Sequence, residues 1–299
     1  RTQHLKENMI PIQQIDTLEA TFLSLSNLGR QLSEEQWKLP TDCPGWSVQD
    51  NLSHLIGVEI ALSGGTPTSH KSPKFDYIKN AIGEHNENEI DVRRSQSGAQ
   101  VLEEWNSVSS NRITQLRTAD DAYFETPMML PTGPGTLGDF LSIRILDCWV
   151  HEQDMRRATG IAGNEGGPAA EHTIDRLIRT LPIVVGKRAA TPEGASVVIA
   201  ITGSVQRNIP ITVINGRATI VTAPPADVLC TVQLDSNAFT ALATGRQTAD
   251  QLANRLHISG DNDLGQRHPS QQPRFAHPYM HQRLLRHELL NRAPDLVRI

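Results

Sequence analysis

Apolar residues recur at three- and four-residue intervals through the first half of the chain, which is the spacing of an amphipathic helix. The pattern predicts four long helices, over residues 12–39, 47–64, 98–117 and 136–160. Ser47 with Asp50, and Thr136 with Asp139, have the spacing of capping boxes at two of the helix starts. Four such helices, joined by loops of mixed length, are typical of an antiparallel bundle. A further helix is predicted over residues 169–182.

The pattern changes in the second half of the chain to short β-branched runs separated by turn residues. The predicted strands read SVVIAITG, IPITVING, ATIVTAP and VLCTVQLD. Asn215 and Gly216, between two of these runs, predict a tight hairpin. Two short helices are predicted at SNAFTALATG and TADQLANRL. We therefore expect a small α+β domain with an antiparallel sheet.

A chain of 299 residues is longer than one core usually organises, so we predict two domains. The first is the helical bundle, over residues 10–185, and the second is the α+β domain, over residues 190–265. Residues 266–299 form a tail that holds His, Pro and Arg without regular ligand spacing. The breaker-rich segments at residues 66–74 and 127–135 are expected to be loops.

The composition of the chain argues against some classes of function, namely nucleic-acid binding and membrane association. The net charge is -5 and aromatic residues make up 4% of the chain, which argues against a nucleic-acid-binding surface. We expect no membrane association, because no apolar run approaches the roughly 20 residues that span a bilayer. The first residues also lack the apolar core of a signal peptide, so a cytoplasmic protein is expected. The oligomeric state cannot be predicted, although a monomer is compatible with the sequence.

Polar residues interrupt the apolar stripe of the fourth predicted helix, where Asp147 and His151 lie one turn apart. Burying a carboxylate and an imidazole costs several kcal/mol, roughly, unless a partner compensates. A metal ion is one such partner, and a third ligand would have to come from another helix. His54 is the best candidate, on a stripe shared with Val58. The alternatives are a metal-free hydrogen bond between Asp147 and His151 and pairing of Asp147 with Arg144, and the residues alone leave these open.

Other catalytic motifs are not found. HEQDM lacks the second histidine of HExxH, and no G-x-S-x-G sequence occurs. The cysteines are Cys43, Cys148 and Cys230, with no CxxC, which argues against a disulfide framework or a cysteine-rich zinc site. Trp46 and Pro44 are expected to build a rigid loop before the second helix, without a catalytic role.

Two segments together resemble the mycothiol-dependent maleylpyruvate isomerase family, whose bundle belongs to the DinB-like metalloenzymes. They read CPGWSVQDNLSHLIGVE and RILDCWVHEQDMRRATG. A third segment resembles the sterol-carrier-like domain that often follows the bundle in this family, and it reads VQLDSNAFTALATGRQTADQLANRLHISGD. The resemblance covers about residues 12–265.

The resemblance implies a divalent metal ion held by His54, Asp147 and His151. The acidic ligand of the isomerase is commonly Glu, whereas this chain has Asp. Zinc is the default metal for a nitrogen and oxygen ligand set, although other divalent ions suit it too. The resemblance also implies mycothiol as the thiol cosubstrate. In the isomerase its thiolate adds to a double bond, rotation follows, and elimination gives the trans product; in relatives the thiolate is transferred to an electrophile.

An anionic substrate or thiol would need cationic side chains nearby. Arg93, Arg94 and Arg246 are the candidates for this catalytic role, and solvated surface arginines are the alternative interpretation. The leading hypothesis is therefore a metal-dependent isomerase or thiol S-transferase that uses mycothiol and acts on a small electrophile. The alternative hypothesis is a non-catalytic two-domain protein that binds a small molecule or lipid and keeps a vestigial metal site.

Overall fold

The computed structural model describes residues 10–130, 133–223 and 228–260. The chain divides into two compact units between Asn164 and Glu165. The predicted tail after residue 265 lies outside the described residues. Within the described residues, no helix is both long enough and apolar enough to cross a membrane.

The first unit is helical, as the sequence pattern predicts. Its elements are α1 (Ile12–Gly29), α2 (Glu34–Trp37), α3 (Val48–Leu62), α4 (Ala81–Asp91), α5 (Gly98–Thr118), α6 (Asp121–Phe124), β1 (Pro127–Leu130), β2 (Gly133–Thr136) and α7 (Leu137–Thr159). The four long helices form the bundle: α1 packs on α5 and α7, and α3 packs on the same two helices. Their inward apolar side chains, such as Leu18, Leu52 and Trp105, are fully buried.

Both predicted capping boxes are confirmed. The Ser47 hydroxyl accepts a hydrogen bond from the Asp50 backbone N–H, and the Asp50 carboxylate accepts one from Ser47 N–H in return. Thr136 and Asp139 do the same at the start of α7. Gly160 ends α7 in the left-handed region, with φ 68°, which an L side chain rarely adopts. These local contacts set the starts of the two helices that carry the candidate ligands.

Two expectations for the first unit are wrong, and one helix was not predicted. The predicted helix over residues 12–39 is two helices, because α1 ends at Gly29 and Ser33 caps α2 with its own capping box. The predicted loop at residues 127–135 contains the β1–β2 hairpin. Helix α4 was not predicted, because its buried positions are largely polar, including Glu87 and Glu89, and give no apolar stripe.

The second unit contains the small α+β fold expected from the sequence. Its elements are α8 (Pro168–Ile178), α9 (Leu181–Ile183), a π-helical turn (Val184–Arg188), β3 (Ser196–Thr202), β4 (Arg207–Ile214), β5 (Arg217–Ile220), β6 (Val228–Asp235), α10 (Ser236–Ala243) and β7 (His257–Ser259). The strand order is β5-β4-β3-β6-β7. The predicted hairpin is confirmed, with Asn215 and Gly216 at φ 52° and 73° between β4 and β5.

Two expectations for the second unit are corrected. The sheet is mixed rather than antiparallel, because β6 lies beside β3 and runs parallel to it. Apolar periodicity identifies strands, but it carries no information on which distant strands pair. The second predicted short helix, over residues 248–256, forms successive turns instead, including one closed by Arg255 N–H and the Leu252 carbonyl at 2.8 Å. A segment this short has little helical stability of its own.

Candidate metal centre

Three side chains from two helices meet inside the bundle. His54 comes from α3, whereas Asp147 and His151 lie one turn apart on the same face of α7. His54 Nε2 lies 3.3 Å from Asp147 Oδ2, and His151 Nε2 lies 3.4 Å from Asp147 Oδ1. Each residue is at most 5% exposed. The structure therefore brings together the three candidate ligands, which we refer to as the trio.

The trio has a donor set and spacing that fit a divalent ion. Two imidazole nitrogens and a carboxylate oxygen lie within 4.8 Å of one another. Ligand atoms about 2.1 Å from a tetrahedral ion are separated by roughly 3.4 Å, close to the two distances above. Three protein ligands would leave at least one coordination position for an external molecule.

His151 is oriented by hydrogen bonds on its other nitrogen. Its Nδ1 lies 2.6 Å from Asn51 Oδ1 and 3.4 Å from Asp154 Oδ2. The Asn51 amide is itself fixed, because its Nδ2 donates to Thr41 Oγ1 at 3.0 Å and to the Ser47 carbonyl at 2.8 Å. These contacts direct Nε2 of His151 toward the trio. Such outer contacts are a usual feature of metal-binding histidines.

Burial and charge set the protonation of the trio. Burial lowers the pKa of His54, which keeps its imidazole neutral and its lone pair available. Burial alone would raise the pKa of Asp147, but the Arg144 guanidinium and the neighbouring imidazoles hold it well below its usual range. For His151, burial is likewise outweighed, here by the carboxylates of Asp147 and Asp154, and the pKa is raised well above its ordinary value. An incoming cation must therefore displace a proton from His151.

A buried ion network supports the trio from one side. Arg144 donates from Nε to Glu59 Oε1 at 2.8 Å and from Nη1 to Asp147 Oδ2. Arg112 Nε lies 3.3 Å from the other oxygen of Glu59. Two guanidinium groups thus face two carboxylates, and their charges cancel. The pairing of Arg144 with Asp147 considered from the sequence is present, alongside the convergence of the trio.

Trp46 covers the trio on another side, a role that the sequence did not indicate. Its ring centroid lies 5.2 Å from that of His54 and 5.7 Å from that of His151. The indole N–H donates to Glu87 Oε2 at 3.1 Å. The available sequence signal was position alone, since Trp46 directly precedes the capping residue of α3. Asn51, Glu59 and Arg112 were also missed, because nothing in their spacing ties them to Asp147 or His151.

Two of the candidate arginines lie in the first unit and are engaged in ion pairs. Arg93 is buried and its Nη2 lies 2.7 Å from Glu104 Oε1. Arg94 Nη1 lies 2.6 Å from Glu87 Oε1, so this side chain is one contact removed from Trp46. Arg94 Nη2 is buried without a hydrogen-bond partner among the described residues. Within the described residues, the side-chain hydrogen bonds of these two arginines go to groups outside the trio.

The third candidate, Arg246, lies in the second unit. It directly follows the turn at Gly245 after α10, and its Nη1 donates to the Thr244 carbonyl at 3.1 Å. Its side chain is half-buried.

Comparison with known proteins places both units in families. Residues 18–156 match the mycothiol maleylpyruvate isomerase N-terminal domain, and residues 175–268 match the SCP-2 sterol transfer family. The first unit therefore belongs to the mycothiol maleylpyruvate isomerase N-terminal domain family. All three trio residues fall within the first matched segment. No curated protein matches the sequence.

Solved structures of a maleylpyruvate isomerase have the same fold as this chain. A crystal structure of the mycothiol-dependent maleylpyruvate isomerase matches with a TM-score of 0.53 at 15% identity, covering 83% of this chain and 92% of that one. A histidine-to-alanine variant of the isomerase matches with a TM-score of 0.51 at 14% identity and the same coverage. At this low sequence identity, the structural similarity establishes the fold alone.

Proposed function

We propose that this chain is a metal-dependent enzyme that uses mycothiol to act on a small electrophile, as an isomerase or a thiol S-transferase. His54, Asp147 and His151 would hold the ion, with zinc as the default. A divalent ion bound there would lower the pKa of a coordinated thiol, so that the nucleophilic thiolate forms at neutral pH. Family membership and the convergence of the trio support this proposal.

The charge balance around the trio is the observation that supports a thiolate as the external ligand. Asp147 is already paired with Arg144, and Glu59 is shared between Arg144 and Arg112. The network is therefore neutral before any ion arrives. A divalent ion that displaces the His151 proton would still add one uncompensated positive charge to a buried site, which is costly. An anionic external ligand, such as a thiolate, would offset that charge.

The chain's own residues would do the positioning. Asn51 and Asp154 orient His151, and Trp46 shields both imidazole rings on one side. Among the candidate arginines, Arg94 has one nitrogen, Nη2, without a hydrogen-bond partner in the described part of the chain, whereas its other nitrogens pair with Asp50, Glu87 and Asp91; it remains a proposal for binding an anion. Arg93 and Arg246 remain proposals for the same role.

Metal analysis of the purified full-length chain, with a thiol-conjugation and isomerisation screen, tests the proposal. We expect about one divalent ion per chain and turnover with mycothiol in preference to other small thiols. Loss of an outer contact commonly weakens metal binding by about 10–100-fold, so His54→Ala should weaken binding at the trio by more than about 100-fold and lower turnover with mycothiol accordingly. His85→Ala, on the exposed face of α4, is the matched control and should bind normally. A metal-free protein in which His54→Ala changes nothing would refute the proposal.

A second candidate function is favoured by the contact between Arg144 and Asp147. If this ion pair alone satisfies Asp147, the bundle is a scaffold with a vestigial metal site. The second unit, which matches the SCP-2 sterol transfer family, would then bind a small apolar molecule. Lipid that co-purifies with a metal-free protein would support this alternative.

A further inference from the structure

A second group of ligand atoms lies on the opposite side of the His151 ring. Cys43, in the loop between α2 and α3, places Sγ 3.2 Å from Asp154 Oδ2 and 4.0 Å from His151 Nδ1. His151 Nδ1 lies 3.4 Å from the same Asp154 oxygen. All three residues are buried. We call this group the cysteine cluster.

The atoms of the cysteine cluster are held in place by contacts on their far sides. Arg157 Nη2 contacts Asp154 Oδ1, which leaves Oδ2 directed toward Cys43. The Asn51 amide, fixed through its Nδ2, directs Oδ1 to within 3.6 Å of Cys43 Sγ and 2.6 Å of His151 Nδ1. One sulfur, one nitrogen and two oxygens therefore converge. Ligand atoms about 2.0–2.3 Å from a zinc-like ion have similar separations.

We propose that Cys43, His151 and Asp154 form a second cation site, an alternative to the trio, which holds a thiophilic divalent ion when no external thiol is bound. The neutral imidazole has a single lone pair. An ion on Nδ1 leaves a proton on Nε2, where it is donated to Asp147, and an ion on Nε2 leaves a proton on Nδ1, where it is donated to Asn51. The two sites therefore exclude each other.

The charge balance differs between the two sites and sets the order of occupation. The trio offers one carboxylate, already paired with Arg144. The cysteine cluster offers a carboxylate and, on binding, a thiolate, since the Cys43 S–H proton leaves to solvent as the sulfur–metal bond forms. The cysteine cluster therefore brings one more negative charge to the ion than the trio does. The ion would stay there until an external thiolate supplies the missing negative charge at the trio.

This proposal rests on the proposed function only in taking the trio as the competing site. Cobalt(II) binding to the full-length chain tests it, because cobalt stands in for zinc and gives a near-ultraviolet absorption when a thiolate is a ligand. In the absence of external thiol we expect about one ion per chain, with the sulfur band present. Cys43→Ser and Cys43→Ala should lose the band. Cys230→Ser, which alters a buried thiol of the second unit, is the matched control and should keep it.

The trio variants separate the two proposals. His54→Ala should keep the sulfur band, because His54 is not part of the cysteine cluster. In Cys43→Ser the ion should bind through the trio, weakly and without the band in the absence of external thiol, and tightly once an external thiolate is supplied. No band in the unaltered chain, loss of the band in His54→Ala, or two ions bound at once would overturn the alternative site. Failure of Cys43→Ser to bind any ion even with an external thiol present would instead count against the trio and the function built on it.

Discussion

Removal of the charge of Glu59 is expected to destabilise the bundle of the first unit strongly. The Glu59 side chain is fully buried between two guanidinium groups, 2.8 Å from Arg144 Nε and 3.3 Å from Arg112 Nε. In Glu59→Gln the new amide keeps the size but presents an N–H donor to one arginine. Breaking a buried pair in this way costs about 3–5 kcal/mol in the free energy of unfolding.

Urea unfolding followed by tryptophan fluorescence measures this loss of unfolding free energy for the first unit. All four tryptophans of the chain lie in the first unit, so their emission reports the bundle alone. With a slope of about 2 kcal/mol per M, a loss of about 4 kcal/mol lowers the midpoint by about 2 M. Glu19→Gln is the control, because Glu19 pairs with Arg117 at the exposed surface and should cost less than about 1 kcal/mol. Equal small losses in both variants would refute the buried-network argument.

Three further predictions concern other parts of the chain. Metal ions added to the unaltered protein should change the emission of Trp46, which lies against both histidines of the trio, and Trp46→Phe should abolish that change while still binding the ion. Gly160→Ala should destabilise the first unit by about 1 kcal/mol, from backbone strain alone, because no atom lies within 4 Å of the added methyl group; Gly160→Asn should cost less. Asp235 caps α10 and pairs with Arg255, and although burial alone would raise its pKa, these contacts lower it. The stabilisation by the Asp235 carboxylate should be present above the pKa of this group in the unfolded chain and lost as the pH falls through its lower pKa in the folded protein. Asp235→Ala should therefore cost about 1 kcal/mol in the free energy of unfolding near neutral pH, measured by circular dichroism, and should flatten the acid side of the profile of stability against pH. Full retention of that profile would contradict this assignment.

The correctly predicted features are those that depend on local interactions. Ser47 and Thr136 mark helix starts because a cap and its partner lie three residues apart in sequence. Asn215 and Gly216 predict a hairpin because the turn itself requires positive φ. Where stability comes from distant partners, the sequence pattern failed. Helix α4 buries Glu87 against Trp46 and Arg94, so its inward face reads as polar.

The candidate site shows the same division. The one-turn spacing of Asp147 and His151 is local and could be seen in the sequence. The approach of His54 from another helix required the family resemblance, because apolar stripes do not specify which positions of two helices face each other. The supporting residues Asn51, Glu59 and Arg112 could not be predicted, since each has an ordinary polar identity that acquires a role only through contacts across the bundle.

The surroundings of Asp147 give a physical reason for the presence of Asp rather than Glu at this position. A shorter carboxylate stays close to α7, where Arg144, three residues earlier on the same helix, reaches its Oδ2. The other oxygen, Oδ1, faces His151. The carboxylate is thereby divided, with one oxygen shared between Arg144 and His54 and the other directed to the remaining imidazole. An ion bound to the trio would meet a carboxylate whose charge is already partly neutralised, and this favours an anionic external ligand over water in the open position.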